Sequence, residues 1–345
     1  MWNVAIRVDS SAVLGIGHLS RCLTLARALK QRCDASTVFF CAELDPAWQS
    51  SVSDVGDIRM LPDLSAAAMR SALGEESWTW LVADHYGCNA RWIDAVAPST
   101  VRVLMIDDLA NRDYSCDLLL DQNYLPDRRD AYIPRVPPDT RLLLGPQYAL
   151  LRPEYAMARP RRLPSADRAL QIGVSFGGGR QAHLMHDVLE AFHAPDWADA
   201  EIWCVGDIDT ASDALGAHGR VRIRCSGQLP HLADFYAWSD VAIGAAGAST
   251  WERLALGVPS VVVTVADNQR QVADVLHRER LVHWVGDVRD VTGAQLVEGV
   301  KAVIRGHVVI DTERGMRLCD GLGVERVVAE MQYLMSGGQG NHRRD

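Results

Sequence analysis

Short apolar, β-branched runs alternate with longer stretches of helical periodicity along nearly the whole chain. Strand-like runs fall at 3–8, 36–41, 79–84, 101–106 and 117–120, then at 169–176, 201–205, 221–225, 240–244, 260–265 and 281–285. Between them apolar residues recur at helical spacing, as in Leu19, Cys22, Leu23, Ala26 and Leu29. This alternation predicts an α/β protein of βα units stacked on parallel sheets. It breaks once, at 152–168, where three prolines and a burst of charge place a domain boundary. The 345 residues suit two domains at about 150 each. The expected division is a first domain over 1–155, a second over 165–335, and a frayed tail over 336–345 with no apolar residue to bury.

Charge and cysteine usage narrow the function classes. Asp plus Glu (44) exceeds Lys plus Arg (35), a net charge of -9, so nucleic acid and anionic membrane surfaces are poor partners except through local basic pockets. The eight cysteines are scattered, with no C-x-x-C pair and no zinc spacing, which suits a reduced cytoplasm and calls for no metal. The start, Met1 to Asp9, reads as a first strand and not a signal peptide, and no run approaches the ~20 apolar residues of a membrane span. No other cofactor is called for, and the oligomeric state is not set by the sequence.

Four motifs carry chemistry. The first, Asp9 to Arg21, joins strand 1 to a helix and places Gly15 and Gly17 in the turn at the helix start, where backbone can approach an anionic ligand. His18 then lies at the carboxyl end of a parallel strand, where open α/β sheets keep their ligands; the positive helix end disfavours the imidazolium and leaves a ring able to accept a proton. A plain glycine turn is the structural alternative. The second motif is a set of polar clusters ending consecutive strands: Asp84-His85-Tyr86-Gly87, Asp107-Asp108 and Asp121-Gln122-Asn123. Singly these read as capping residues; together they converge on one rim of a sheet and favour a cleft.

The third is Ser175-Phe176-Gly177-Gly178-Gly179, a turn suited to tight geometry or a diphosphate. The fourth runs from Gly244 to Glu252, then Leu256 to Pro259, then Ala266 to Gln269. Small residues clear space there; Ser249 and Thr250 are expected to cap the helix and meet phosphate oxygens, and Glu252 to bind a ribose diol, with a capping box from Ser249 to Glu252 as the structural alternative. Asp207-Ile208-Asp209 has a D-x-D form but reads as a polar loop, and His183 with His186 lacks a third ligand. Trp48, Trp78, Trp80, Trp238 and Trp251 read as core and rim packing.

The segment Asp9 to Arg21, Asp84 to Gly87, Leu120 to Asn123, Gly145 to Glu154 and Gly244 to Gln269 resemble those of the pseudaminic acid pathway hydrolases that act on UDP-2,4-diacetamido-2,4,6-trideoxy-β-L-altropyranose, relatives of the MurG-type glycosyltransferases. The resemblance runs from about residue 3 to about residue 335. It implies a GT-B fold, two Rossmann-like domains with the active site in the cleft between them, and a final helical segment near 323–335 that crosses back over the first domain. It puts the catalytic histidine on His18 and the ribose-binding glutamate on Glu252. Gly15, Gly17, Arg21, Asp84, Tyr86, Asn123, Gly178, Gly247, Ser249, Thr250, Asn268 and Gln269 are then expected to bind substrate. Arg180 departs from the acidic residue that relatives carry after this glycine turn, and could contact diphosphate.

The implied activity is metal-independent, inverting hydrolysis of a UDP-sugar in the cytoplasm, with His18 taking a proton from the attacking water. A GT-B glycosyltransferase with a sugar or lipid acceptor, a UDP-sugar 2-epimerase and a non-catalytic UDP-sugar-binding module are the alternatives.

Overall fold

A computed structural model of the chain describes residues 1–11, 15–158, 168–177, 181–197, 199–206 and 221–337. The chain divides into two units, Met1–Leu151 joined by the segment from Leu322 onward, and Arg152–Gly321.

The first unit carries strands β1 (Trp2–Val8), β2 (Ala35–Cys41), β3 (Asp57–Met60), β4 (Trp80–Asp84), β5 (Arg102–Ile106), β6 (Leu118–Asp121) and β7 (Arg141–Leu144). Its helices are α1 (Gly17–Cys33), α2 (Gln49–Ser53), α3 (Ala66–Leu73), α4 (Ala90–Val96) and α5 (Arg128–Tyr132). The strands form one parallel sheet in the order β3-β2-β1-β4-β5-β6-β7. Central strands are apolar on both faces because both faces are covered. Val4, Ile6, Trp80, Val82, Leu104 and Leu118 join one core with α1, while Ala5, Leu81, Ala83, Val103, Met105 and Leu119 join the other with α3 and α4.

The second unit repeats the plan. Its strands are β8 (Gln171–Ser175), β9 (Glu201–Val205), β10 (Arg222–Ser226), β11 (Val241–Ala245), β12 (Ser260–Thr264) and β13 (His283–Asp287), all parallel in the order β10-β9-β8-β11-β12-β13. Its helices are α6 (Pro153–Met157), α7 (Ala182–Ala191), α8 (Ala233–Trp238), α9 (Ser249–Ala255), α10 (Arg270–Arg278), α11 (Gly293–Ile304) and α12 (Thr312–Leu318). In each unit the strand order reverses once, between β1 and β4 and between β8 and β11, which makes a crevice at the carboxyl ends of those strands.

The sequence reading missed β3 and β7. Both are edge strands of four residues; β3 (Asp-Ile-Arg-Met) buries no side chain fully and so carries no apolar run. The last strand lies at 283–287, two residues later than expected, because Leu281 and Val282 are buried ahead of it without joining the ladder. The stretch 323–335, counted within the second domain by the boundary at 335, is helix α13 (Gly323–Met335), and it belongs to the first unit. There Val324, Val327, Val328, Met331 and Leu334 pack into the core that α1 shares with the sheet. The tail at 338–345 and most of the 152–168 boundary segment lie outside the described residues.

Helix α13 meets Tyr148 and Ala149 so closely that a Cβ on Gly323 would stand 2.2 Å from the Ala149 carbonyl oxygen. Gly323→Ala is therefore expected to lower stability by about 1–3 kcal/mol through overpacking, read as a lower urea midpoint for the first unit. An unchanged midpoint would mean that the helix docks elsewhere.

Candidate active site

The first unit's crevice is built from the ends of β1 and β4, which are paired in register, Val8 opposite Asp84. Beyond β1, Asp9 closes a buried fork with Arg7 at 2.6 and 2.7 Å and accepts the backbone N–H of Ala42 at 2.7 Å, tying this strand end to that of β2. Burial would raise the Asp9 carboxyl, but Arg7 and these donors outweigh it and hold it below the usual carboxylate range. The chain then reaches Gly15, whose φ of 73° suits glycine, and enters α1 at Gly17 with no side-chain cap from Ile16. Residues 12–14 lie outside the described residues.

One turn into the crevice, Asp84 gathers two side chains from α1. Arg21 Nε donates to Asp84 Oδ2 at 2.6 Å and Arg21 Nη2 to Oδ1 at 2.5 Å, while His18 Nδ1 lies 2.7 Å from Oδ1. Residues 18 and 21 are one helical turn apart, so one carboxylate reaches both. Asp84 is 1% exposed. Burial pushes its carboxyl up, but the Arg21 guanidinium and then His18 hold it well below the usual range, so it is ionised. Donation to this ionised oxygen places a proton on His18 Nδ1, with Arg21 Nη2 also 3.0 Å from that nitrogen, and in the neutral ring it leaves the lone pair on Nε2, the arrangement in which a carboxylate orients an imidazole base. His18 remains 17% exposed.

Arg21 and Asp84, expected among the substrate contacts, are thus turned to each other and to His18; they position the histidine. Sequence reading alone could not pair them, since 63 residues separate them and only the register of β4 beside β1 brings them together.

Tyr86 packs edge-on to His18, ring centroids 5.2 Å apart, and its hydroxyl donates to Asp108 Oδ2 at 3.0 Å. Burial first, then the Asp108 charge, push the phenol well above its ordinary value, so Tyr86 is neutral. His85 points the other way: its Nδ1 accepts the Gly87 N–H at 3.0 Å and its Nε2 approaches Asp9 at 3.4 Å. Burial, followed by the Arg7 charge, lowers its pKa.

Farther along the rim, Asp107 and Asp121 serve the scaffold. Asp107 accepts from the Tyr114 and Tyr132 hydroxyls at 2.7 and 2.8 Å and pairs with Arg112. Asp121 pairs with Arg128 at 2.9 Å and takes the backbone N–H of Asn123, also at 2.9 Å. Burial, only partly offset by Arg128, pushes the Asp121 carboxyl up to about 6.

In the second unit, the ends of β8 and β11 are also in register, Ser175 opposite Gly244. Gly178, with Gly179 and Arg180, lies outside the described residues, as does the D-x-D motif at 207–209. After β11 the backbone N–H groups of Gly247, Ala248 and Ser249 donate to no carbonyl of the described residues. Gln269 folds back on this turn: its Oε1 accepts the Val265 N–H at 2.9 Å, and its Nε2 would stand 3.2 Å from a Cβ at position 247. Asn268, beside it, is exposed. The expected caps are corrected. Neither hydroxyl caps α9; Ser249 Oγ and Thr250 Oγ1 instead accept from Arg253, each at 3.1 Å, and Thr250 is 1% exposed, so its hydroxyl is closed to a phosphate. Glu252 makes no capping box either. Its carboxyl bonds the Tyr155 hydroxyl, its Oε2 is enclosed without a partner, and burial pushes it up to about 6.

Among the described residues no group of three or more His, Cys, Asp and Glu could hold a metal ion, and no helix is long and apolar enough to cross a membrane. His183 stands exposed beside Asp187. Trp80 and Trp251 are core residues, as expected.

Two Rossmann-like halves, each a parallel sheet, define the GT-B class, and comparison with known proteins agrees. The structure resembles that of Acinetobacter baumannii MurG, with a TM-score of 0.68 at 14% identity over 96% of this chain and 99% of that one. Residues 221–309 match the glycosyltransferase family 28 C-terminal domain. SpsG, a spore coat polysaccharide biosynthesis protein of Bacillus subtilis (strain 168), is 24% identical over 342 residues, 96% of this chain and 98% of SpsG. The UDP-2,4-diacetamido-2,4,6-trideoxy-β-L-altropyranose hydrolase of Campylobacter jejuni is 31% identical over 150 residues, 43% of this chain and 52% of that enzyme. The chain is a GT-B protein, and one of its relatives acts on a UDP-sugar.

Asp84→Asn would leave Arg21 buried without its carboxylate, which costs about 3–5 kcal/mol. A depressed carboxyl contributes stability that is fully present above its unfolded value near 3.9 and lost only as pH falls through the lower folded value. The gap between wild type and variant in urea unfolding should therefore hold from pH 7 to pH 5; a gap that closes over this range would contradict the assigned ionisation.

Proposed function

We propose that the protein hydrolyses a UDP-activated 2,4-diacetamido-2,4,6-trideoxy sugar, water attacking the anomeric carbon with inversion to release free sugar and UDP, a step of pseudaminic acid biosynthesis. The observation that carries this is the 2.7 Å contact of His18 Nδ1 with the ionised Asp84, which leaves Nε2 as a base. In this reading His18 takes the proton of the attacking water, and a positioned base of this kind supplies about 10²–10⁴ in rate. Stabilising the leaving diphosphate supplies the rest, and the open N–H groups of Gly247, Ala248 and Ser249 are suited to it. Gln269 and Asn268 flank that turn, while Glu252, the expected ribose contact, is held against Tyr155. Gly15 and Gly17 let the backbone approach the sugar, with Tyr86 and Asn123 beyond the ends of β4 and β6 in the same sheet. The partial identity to the Campylobacter jejuni hydrolase supports this substrate.

A second reading shares the same base. The match of residues 221–309 to a glycosyltransferase domain favours transfer, in which His18 takes its proton from an acceptor hydroxyl in place of water. Release of UDP without any added acceptor separates the two.

His18→Asn is expected to lower turnover by at least about 10²-fold while UDP affinity stays as in wild type. Loss of both together would make His18 a binding or folding residue. In ¹⁸O-labelled water the label should enter the sugar; label in UDP would mean attack at phosphorus and would refute the mechanism.

A further inference from the structure

Three arginines of the described residues are buried, and two of them are paired. Arg7 is forked onto Asp9 and Arg21 onto Asp84. Arg253 is 0% exposed and has no carboxylate within ion-pair distance among the described residues. Its donors go to neutral oxygens only: Nη1 to Ser249 Oγ at 3.1 Å and Tyr236 Oη at 3.3 Å, Nη2 to the Ala245 carbonyl at 2.8 Å and Thr250 Oγ1 at 3.1 Å. Its Nε is enclosed without an acceptor. The Tyr236 ring, 5.7 Å from the guanidinium carbon, offers a weak compensation, and the adjacent Glu252, which feels the Arg253 charge, bonds Tyr155 and makes no ion pair with the guanidinium.

A buried charge without a counter-ion is costly, and an arginine there would be expected to have a partner. The chain nevertheless makes room for it. A Cβ on Gly244 would stand 2.7 Å from both Arg253 Nη1 and the Ser175 carbonyl oxygen, so glycine at that position accommodates the guanidinium as well as the neighbouring strand. All four acceptors except Tyr236 belong to the turn Ala245–Thr250, whose outer side offers the open N–H groups of Gly247, Ala248 and Ser249.

We infer that Arg253 is a positioning residue for anion binding: its missing counter-ion is the diphosphate of the nucleotide, held on the outer side of the turn that the guanidinium braces from within. The cation never touches the ligand. It fixes the turn through the Ala245 carbonyl and the Ser249 and Thr250 hydroxyls, and it adds one positive charge, itself buried, behind the N–H groups, where the attraction is less screened than in bulk water. This rests on the reading of that turn as the diphosphate site and adds a charge requirement to it.

The test is calorimetric binding of uridine, UMP and UDP to the full chain as wild type, Arg253→Gln and Arg253→Lys. In Arg253→Gln the loss should follow ligand charge: uridine affinity unchanged, UMP weakened, UDP weakened most, by about tenfold. Arg253→Lys, which keeps the charge, should restore most of the UDP affinity. Equal losses for all three ligands, or unchanged UDP binding, would overturn the inference while leaving the diphosphate site standing. Wild-type protein that binds uridine but gains nothing from phosphates would overturn the site and the inference with it. Should Arg253→Gln fail to fold, the ratio of UDP to uridine affinity in Arg253→Lys decides: retained, it supports the charge; collapsed to that of a neutral site, it refutes it.

Discussion

The carboxylate of Asp84 is the interaction on which the candidate site depends. It is buried, and an isolated carboxylate at that depth would take up a proton or swell away toward water. Arg21 prevents both by gripping its two oxygens, and the ionised oxygen left facing His18 is what decides the imidazole tautomer. Each member needs the others. Arg21 without Asp84 is a stranded cation, and His18 without Asp84 has no fixed proton. The histidine, the buried ion pair and the docking of α1 on the sheet are therefore one structural unit.

That unit exists because of topology. Parallel strands deliver their carboxyl ends to one edge of the sheet, and the reversal of order between β1 and β4 leaves a crevice there, since the connecting helices leave in opposite directions. Helix α1 starts at this crevice with His18 and Arg21 on one face, and β4 ends at it with Asp84. The second unit uses the same geometry differently. Its crevice holds a glycine-containing turn braced by a buried arginine.

Much of this was legible in the chain. Alternating strand and helix patterns gave the parallel α/β architecture, since central strands covered on both faces must be apolar along their length. The edge strand β3 was not legible, because an edge strand half open to solvent need not carry that pattern, and β7, although it holds three leucines, is only four residues long. His18 stood out because histidine beside glycines at a strand end is chemically conspicuous. Asp84 was visible as a polar residue at a strand end, but its service to His18 was not, nor was the bond from Asp108 to Tyr86. Ser249 and Thr250 looked like caps because hydroxyl residues at a helix start usually are; the arginine four and three residues on claimed their oxygens first.

What the sequence by itself determined is local and periodic: the βα alternation, the glycine turns and the residue types at strand ends. These follow from the polarity of each residue against its neighbours within a few positions. What only the tertiary structure decided is which of those polar groups face one another: Asp84 with His18 and Arg21, Tyr86 with Asp108, Arg253 with the turn it braces, and α13 with the first unit. Such pairings depend on strand register and on helices returning from distant parts of the chain, and the free energy that selects them, the cost of a buried polar group left without a partner, is set only once the core has closed.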